Sequence, residues 1–155
     1  MAQLIILTGA IQSGKTTTLQ EWLRDKDACG ILSPVVNQLR TLLAIREETY
    51  IPFQSPEPSS ETISVGRFHF YKKAFDRANE ILLKEVIADW CIIDEVGPLE
   101  LQGQGFSPAL KKLRNNSSIN LLLVVRNSLL EEVQQKFNLH PTRVITAKDL
   151  ATLTL

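Results

Sequence analysis

The sequence predicts an α/β fold, in which a mostly parallel sheet is flanked by helices and an antiparallel meander occupies the middle of the chain. Short apolar segments alternate with amphipathic helical segments over most of the sequence, and this alternation is typical of a parallel sheet covered on both faces. The middle stretch contains short extended segments separated by turn residues, which indicates antiparallel strands. The sequence shows no repeat and no linker, so residues 1–155 are predicted to form one domain.

Each strand of the parallel sheet is predicted from a short apolar segment. These segments cover residues 4–7, 90–93, 121–125 and 143–146, and continuous apolar character is typical of strands buried on both faces. Helices are predicted where apolar residues recur every three or four positions, at residues 16–24, 75–88, 108–115 and 128–137. The clearest stripe is formed by Phe75, Ala78, Ile81, Leu82 and Val86.

The middle of the chain is predicted to be antiparallel. Residues 30–36, 41–46 and 50–53 are short extended segments separated by turn or polar residues, which predicts a meander. Residues 54–60 are rich in proline, serine and glutamate and are predicted to form a surface loop. Residues 63–71 are predicted to form one further strand, with Gly66 inside it.

Composition is that of an ordinary globular domain, because apolar residues make up 44 % and charged residues 22 % of the 155 residues. The 17 basic side chains equal the 17 acidic ones in number, so no overall positive field favours nucleic acid or an anionic membrane. Cys29 and Cys91 lack the spacing of a disulfide framework or a zinc site and are interpreted as buried free thiols. The first residues lack a basic region, and the longest apolar run is too short to cross a bilayer, so the protein is predicted to be cytoplasmic.

A phosphate-binding loop is predicted directly after the first strand. The pattern G-x-x-x-x-G-K-[S/T] is matched at every fixed position by Gly9, Ala10, Ile11, Gln12, Ser13, Gly14, Lys15 and Thr16. The glycines let the backbone approach phosphate oxygens, and the loop amides with the following helix N-terminus attract anions. Lys15 is predicted to place its charge at the β- and γ-phosphates, and the Thr16 hydroxyl is predicted to ligate Mg²⁺. The expected ligand is therefore a nucleoside triphosphate, with Mg²⁺ as cofactor.

Two carboxylates end the strand predicted at residues 90–93. If this strand lies beside the first one, its end faces the phosphate loop, and Asp94 is predicted to hold the Mg²⁺ directly or through water. Glu95 is predicted to turn toward the γ-phosphate and to orient or deprotonate the attacking water. Acidic residues can also simply end a strand at the surface, and the phosphate loop in the same chain favours the catalytic interpretation.

The two motifs together resemble a family of small nucleoside-triphosphatases, the cancer-related nucleoside-triphosphatase family. The resemblance rests on the phosphate loop, which continues with Thr17, and on residues 94–101, which read D-E-V-G-P-L-E-L where the family has D-E-I-G-x-M-E-L. Thr17 thereby joins the candidate nucleotide-binding residues. The resemblance implies a RecA-like fold and Mg²⁺-dependent hydrolysis of ATP, GTP and other nucleoside triphosphates, with slow turnover and broad base tolerance.

The chain departs from the family pattern in two places. The family tends to place acidic residues after the glycine that corresponds to Gly30, where this chain has residues P-V-V at 34–36. The family's N-R pair near the last strand is replaced by residues A-K-D at 147–149. Both departures affect the expected base contacts and rate more than phosphate binding.

Three further residues have two interpretations each. Glu100 is either a second acidic group at the site or a solvated turn residue. Arg126 follows an apolar strand and is either an internal arginine finger or a solvated strand-end residue. Lys148 follows the last strand, where its stem packs on the nucleotide base or lies at the surface.

The same motifs are compatible with two other functions. A small-molecule or nucleotide kinase uses the same loop but closes arginines over the acceptor, and Arg40, Arg46 and Arg67 are the nearest candidates here. A non-hydrolytic nucleotide-binding adaptor in cofactor biosynthesis would bind without turnover, and Glu95 argues against it. The sequence does not indicate a protein partner.

Overall fold

Parallel strands form most of the main sheet of the protein. The structure is a computed structural model that describes residues 2–10, 14–84 and 87–153. The strands are β1 Leu4–Gly9, β2 Ala28–Leu32, β3 Val35–Val36, β4 Leu39–Ala44, β5 Thr49–Pro52, β6 Gln54–Ser55, β7 Thr62–Val65, β8 Phe68–Tyr71, β9 Trp90–Asp94, β10 Asn120–Arg126 and β11 Arg143–Ile145. The helices are α1 Lys15–Trp22, α2 Lys72–Leu83, α3 Pro98–Leu101, α4 Ser107–Leu113, α5 Leu130–Lys136 and α6 Ala147–Leu150.

The order of strands in the main sheet is β11-β1-β10-β9-β2-β4-β3, and β5 also pairs with β4. From β11 to β2 the neighbours are parallel, whereas β4 pairs antiparallel with β2, β3 and β5. A smaller antiparallel sheet has the order β6-β8-β7.

Successive side chains of the parallel strands enter two apolar layers on opposite faces of the sheet, as the strand period of two requires. The layer between the sheet and helices α2, α4 and α5 contains Ile6, Ile93, Leu123, Phe75, Leu110 and Val133. The layer between the sheet and helices α1 and α6 contains Ile5, Ile92, Leu122, Leu19 and Leu150. The predicted α/β class, with helices on both faces of a mostly parallel sheet, is confirmed.

The predicted meander needs correction at both of its ends. Residues 30–36 do not form one antiparallel strand, because β2 pairs in parallel with β9 and only the separate strand β3 is antiparallel to β4. Residues 63–71 form two strands rather than one, because the chain reverses at Gly66, whose φ of 58° suits a tight turn. The loop predicted at residues 54–60 begins with strand β6, which pairs with β8.

Some helices also differ from their predicted bounds. Helix α2 begins at Lys72 and ends at Leu83, so it starts before and ends before the helix predicted at residues 75–88. Val86, which belongs to the predicted apolar stripe, lies outside the described residues. The segment around Glu100 contains the short helix α3, and helix α6 follows β11 where the sequence predicts no helix. None of the described helices is long and apolar enough to cross a membrane. Cys91 is buried and Cys29 is half-buried, and both are free thiols.

Candidate active site

The phosphate loop and the acidic strand end meet at the carboxyl edge of the parallel sheet. Strand β10 lies between β1 and β9, so the condition that β9 lies beside β1 is not met. The start of α1 nevertheless reaches the end of β9, because Thr16 Oγ1 donates a hydrogen bond of 2.9 Å to Asp94 Oδ2. Ligands of open parallel sheets bind at this edge.

Lys15 is held inside the turn between β1 and α1. Its side chain is buried, and Nζ donates to the carbonyl oxygens of Gly9 at 3.2 Å and Ala10 at 2.8 Å. Gly14 precedes the helix with a φ of 80°, a conformation that glycine adopts without strain. Burial lowers the pKa of Lys15, and the carboxylates of Glu95 and Asp94 oppose this shift. The predicted nucleotide-binding residues Ile11, Gln12 and Ser13 lie outside the described residues.

Asp94 is buried at the end of β9 and receives hydrogen bonds from two other elements. Its Oδ2 accepts from the Thr16 hydroxyl and, at 3.1 Å, from the backbone N–H of Ser33 after β2. Its Oδ1 has no hydrogen-bond partner among the described residues. Burial raises the pKa of Asp94, and the hydrogen bonds from Ser33 and Thr16 oppose that rise.

These oxygens suit a magnesium ion. Mg²⁺ prefers oxygen ligands and is usually held by one or two protein groups together with substrate phosphates and water. Oδ1 of Asp94, which has no partner among the described residues, and the adjacent Thr16 hydroxyl offer such a donor set beside a buried lysine. Within the described part of the chain no three His, Cys, Asp or Glu residues gather into an all-protein metal site.

Glu95 lies next in the chain but faces a different partner. Arg126 Nε at the end of β10 approaches Glu95 Oε1 at 3.3 Å, and both side chains retain about a quarter of their exposure, 28 % for Arg126 and 26 % for Glu95. Both line the same cavity as Lys15 and Thr16. The structure therefore brings together Lys15, Thr16, Asp94, Glu95 and Arg126.

The arginines proposed for a kinase lid separate into different environments. Arg40 on β4 lines the cavity and donates through Nη1 to the carbonyl oxygen of Ser33 at 2.6 Å. Arg46 pairs with Asp27 at 3.2 Å outside the cavity, and Arg67 lies over the ring of Phe68 at 5.1 Å. Ser33 was not predicted as a site residue, although it follows a strand that pairs with β9.

Glu100 is not a solvated turn residue. Its side chain is buried, and its two carboxylate oxygens accept hydrogen bonds from the backbone N–H groups of Gly97, at 2.6 Å, and Phe106, at 2.9 Å. Burial raises the pKa of Glu100 to about 7, against the effect of these hydrogen bonds. Glu100 therefore fixes the segment that follows Glu95. Lys148 is exposed on α6 and is not among the residues that line the cavity.

The cavity has a volume of about 620 Å³ and is lined by both polar and apolar side chains. The polar lining includes Lys15, Thr16, Thr17, Arg40, Glu95 and Arg126. The apolar lining includes Phe53, Val65, Phe68, Phe70, Phe75, Leu99 and Phe106. A volume of this size is typical of small-molecule sites.

Two solved structures share this fold. The crystal structure of THEP1 from the hyperthermophile Aquifex aeolicus is 21 % identical, with a TM-score of 0.73 over 93 % of this chain and 89 % of that one. The solution structure of a human cancer-related nucleoside triphosphatase is 20 % identical, with a TM-score of 0.71 over 97 % and 96 % of the two chains. No curated protein sequence matches the chain.

The family assignment rests on nearly the whole sequence. The family described as NTPase matches residues 4–149, from the first strand through the last helix. The matched residues include the phosphate loop and the Asp94–Glu95 strand end that the structure brings together. With this match and this site, the chain belongs to the NTPase family.

Proposed function

We propose that the protein binds a nucleoside triphosphate with Mg²⁺ and hydrolyses the bond between the β- and γ-phosphates, releasing a nucleoside diphosphate and phosphate. The observation that carries this proposal is the hydrogen bond from Thr16 Oγ1 to Asp94 Oδ2, with Oδ1 left without a partner among the described residues and Lys15 buried at the start of α1. A cationic lysine, a metal-ligating hydroxyl and a buried carboxylate at a helix N-terminus form an arrangement suited to a metal-bound polyphosphate.

The residues of the candidate site have distinct roles in this proposal. Lys15 neutralises charge on the β- and γ-phosphates, and Thr16 and Asp94 would hold the Mg²⁺. The ion, when bound, supplies further positive charge to the phosphate oxygens. Positioning and charge neutralisation of this kind account for most of the catalysis in phosphoryl transfer.

Glu95 and Arg126 act on the far side of the γ-phosphate. The Glu95 carboxylate accepts a proton from the attacking water, which then bonds to the γ-phosphorus while the bridging oxygen leaves with the diphosphate. The guanidinium of Arg126 holds this carboxylate at 3.3 Å and lines the cavity, where it also faces charge that develops on the γ-phosphate. We expect nucleoside triphosphates with several different nucleotide bases to be accepted, since this chemistry involves only the phosphates.

Phosphate release from ATP, GTP, CTP and UTP, with Mg²⁺ and with EDTA, tests the proposal. Release is expected from all four nucleotides in Mg²⁺ and from none in EDTA. Lys15→Ala should abolish it, whereas Lys112→Ala, which removes an exposed lysine of α4, should not. Undiminished release in Lys15→Ala, or in EDTA, would refute the assignment.

A further inference from the structure

Phenylalanine rings that the proposed hydrolysis does not use also line the cavity. We call Phe53, Phe68, Phe70, Phe75 and Phe106 the phenylalanine cluster. Phe53 lies 4.6 Å from Phe70 and 5.1 Å from Phe75, measured between ring centroids, and Phe75 lies 5.2 Å from Phe106. These spacings are typical of attractive aromatic pairs, so these four rings pack together, and Phe68 lines the same cavity.

The cluster adjoins the part of the chain that carries Glu95. Phe106 ends the segment that begins at Glu95, and the Glu100 carboxylate fixes that segment through the N–H groups of Gly97 and Phe106. Gly97, Pro98 and Leu99 line the cavity between Glu95 and Phe106. One chain segment, residues 95–106, therefore joins the proposed general base to the phenylalanine cluster.

The direction of a bound triphosphate follows from the loop. Lys15 reaches the β- and γ-phosphates, and the sugar and base are attached at the opposite, α-phosphate end. An attacking oxygen must approach the γ-phosphorus in line with the departing bridge, from the side away from the β-phosphate. Glu95 is the base for that oxygen in the proposed function, and residues 95–106 lead from it to the phenylalanine cluster. The cluster is therefore the candidate surface for a phosphoryl acceptor rather than for the nucleotide base.

The mouth of the cavity is also apolar. Val35, on the β3–β4 hairpin, is 57 % exposed, and Phe68, on the β7–β8 hairpin, is 44 % exposed, and both line the cavity. Water needs no such surface to reach the γ-phosphate. Large exposed apolar side chains around a cavity indicate a ligand that covers them.

We propose that the phenylalanine cluster binds a phosphoryl acceptor, a small molecule with a flat apolar ring and a hydroxyl group that is directed at Glu95. The proposal rests on the nucleotide site proposed above. The acceptor oxygen bonds to the γ-phosphorus, its proton passes to the Glu95 carboxylate, and the bond from the γ-phosphorus to the bridging oxygen breaks, with its electron pair leaving on the nucleoside diphosphate. Arg40 lines the same cavity from β4 and adds a positive charge to it.

Aromatic alcohols serve as probes of this subsite. Benzyl alcohol, phenethyl alcohol and naphthylmethanol are titrated by saturation-transfer NMR into the protein saturated with Mg²⁺ and a non-hydrolysable ATP analogue. At least one probe should bind while the analogue is bound, and the same probe should form a labelled organic phosphate from ATP labelled in its γ-phosphate. Displacement of the probes by the analogue would show that the nucleotide base occupies the cluster and would overturn the proposal.

A pair of exposed aromatic residues provides the matched variants. Phe68→Ala should weaken probe binding about twofold to tenfold, the value of one aromatic contact. Tyr50→Ala, which removes an exposed ring of β5 outside the cavity, should leave probe binding unchanged. Equal effects of the two variants, binding without phosphoryl transfer, or no binding by any probe would each overturn the acceptor subsite. If the ATP analogue itself does not bind, the proposed function fails; if ATP is bound and hydrolysed but no probe binds, only the acceptor subsite fails.

Discussion

Asp94 is the residue in which burial, hydrogen bonding and the proposed metal site meet. Its Oδ2 is satisfied by Thr16 and Ser33, whereas Oδ1 has no partner among the described residues. A buried polar atom without a partner costs about 1–3 kcal/mol, more for a charged group. A divalent cation bound to Oδ1 would give this atom a partner and remove that cost. The proposed metal site is therefore stabilised beside Thr16, where the phosphates of the nucleotide would bind.

Glu95→Gln tests the assignment of the general base. The amide retains the size of the side chain but cannot accept the proton, so hydrolysis should fall about a hundredfold to ten-thousandfold. Binding of a fluorescent ATP analogue should be retained, because among the described residues the Glu95 side chain hydrogen-bonds to Arg126 and not to Thr16 or Asp94. Glu131→Gln, an exposed position of α5, is the control. Loss of nucleotide binding in Glu95→Gln would show a structural role instead.

Glu100 makes stability depend on pH. Its pKa rises from 4.5, its ordinary value, to about 7 in the folded protein because it is buried. Between these values the folded state holds a proton that the unfolded state has lost, so the contribution of Glu100 is full below about pH 4.5 and is lost as pH rises through 7.

The free energy of unfolding of wild type and Glu100→Gln, measured in urea at pH 5 and pH 8, isolates this contribution. The variant loses one hydrogen-bond acceptor, so wild type should be the more stable protein at pH 5. At pH 8 the free energy of unfolding of wild type should fall by up to about 3 kcal/mol relative to that of the variant, since each pKa unit is worth about 1.4 kcal/mol. A difference that stays constant with pH would show that Glu100 is ionised throughout.

The site depends on how closely elements β2 and β9 approach each other. These strands pair in parallel, with Gly30 opposite Ile92. Ser33, which follows β2, donates its backbone N–H to Asp94 at the end of β9. A Cβ atom on Gly30 would collide with the carbonyl oxygen of Ile92, and Gly30 has a φ of 104°. Only glycine permits this approach, and the approach brings the Ser33 N–H to the Asp94 carboxylate.

Gly30→Ala should therefore destabilise the protein by about 2–4 kcal/mol, the sum of a left-handed alanine and an overpacked contact. Gly103→Ala is the matched control, because Gly103 has a similar φ of 79° but open space around it. That variant should lose only about 1–2 kcal/mol. Thermal and urea unfolding of both variants gives the comparison, and equal losses would mean that the β2–β9 contact is not limiting.

Local patterns in the sequence are sufficient to predict the elements that carry the candidate site. The loop motif and the D-E strand end identify Lys15, Thr16 and Asp94 because each lies at a fixed place in a short pattern. Ser33 and the buried role of Glu100 have no such pattern, since their partners Asp94 and Phe106 are set by folding. The hairpin at Gly66 was missed because alternation continues through the turn, so the apolar period does not show where the chain reverses.

At the scale of the whole molecule, the sequence predicts the class of fold and the family but not the order of strands. The class follows from the alternation of buried strands and amphipathic helices, and the NTPase family match confirms the resemblance drawn from the two motifs. The position of β10 between β1 and β9 depends on pairings between residues far apart in the chain, which local patterns do not encode. The intervening strand also brings Arg126 to Glu95.

The central claim is that the phosphate loop and Asp94 hold one magnesium nucleotide together. Calorimetric titration of a non-hydrolysable ATP analogue, with Mg²⁺ and with EDTA, tests this in wild type, Asp94→Asn and the exposed control Asp76→Asn. Wild type and Asp76→Asn should bind far more tightly with Mg²⁺, whereas Asp94→Asn should keep its affinity in EDTA and lose most of the gain from the metal. No heat of binding in wild type, or the same gain from Mg²⁺ in Asp94→Asn, would contradict the account.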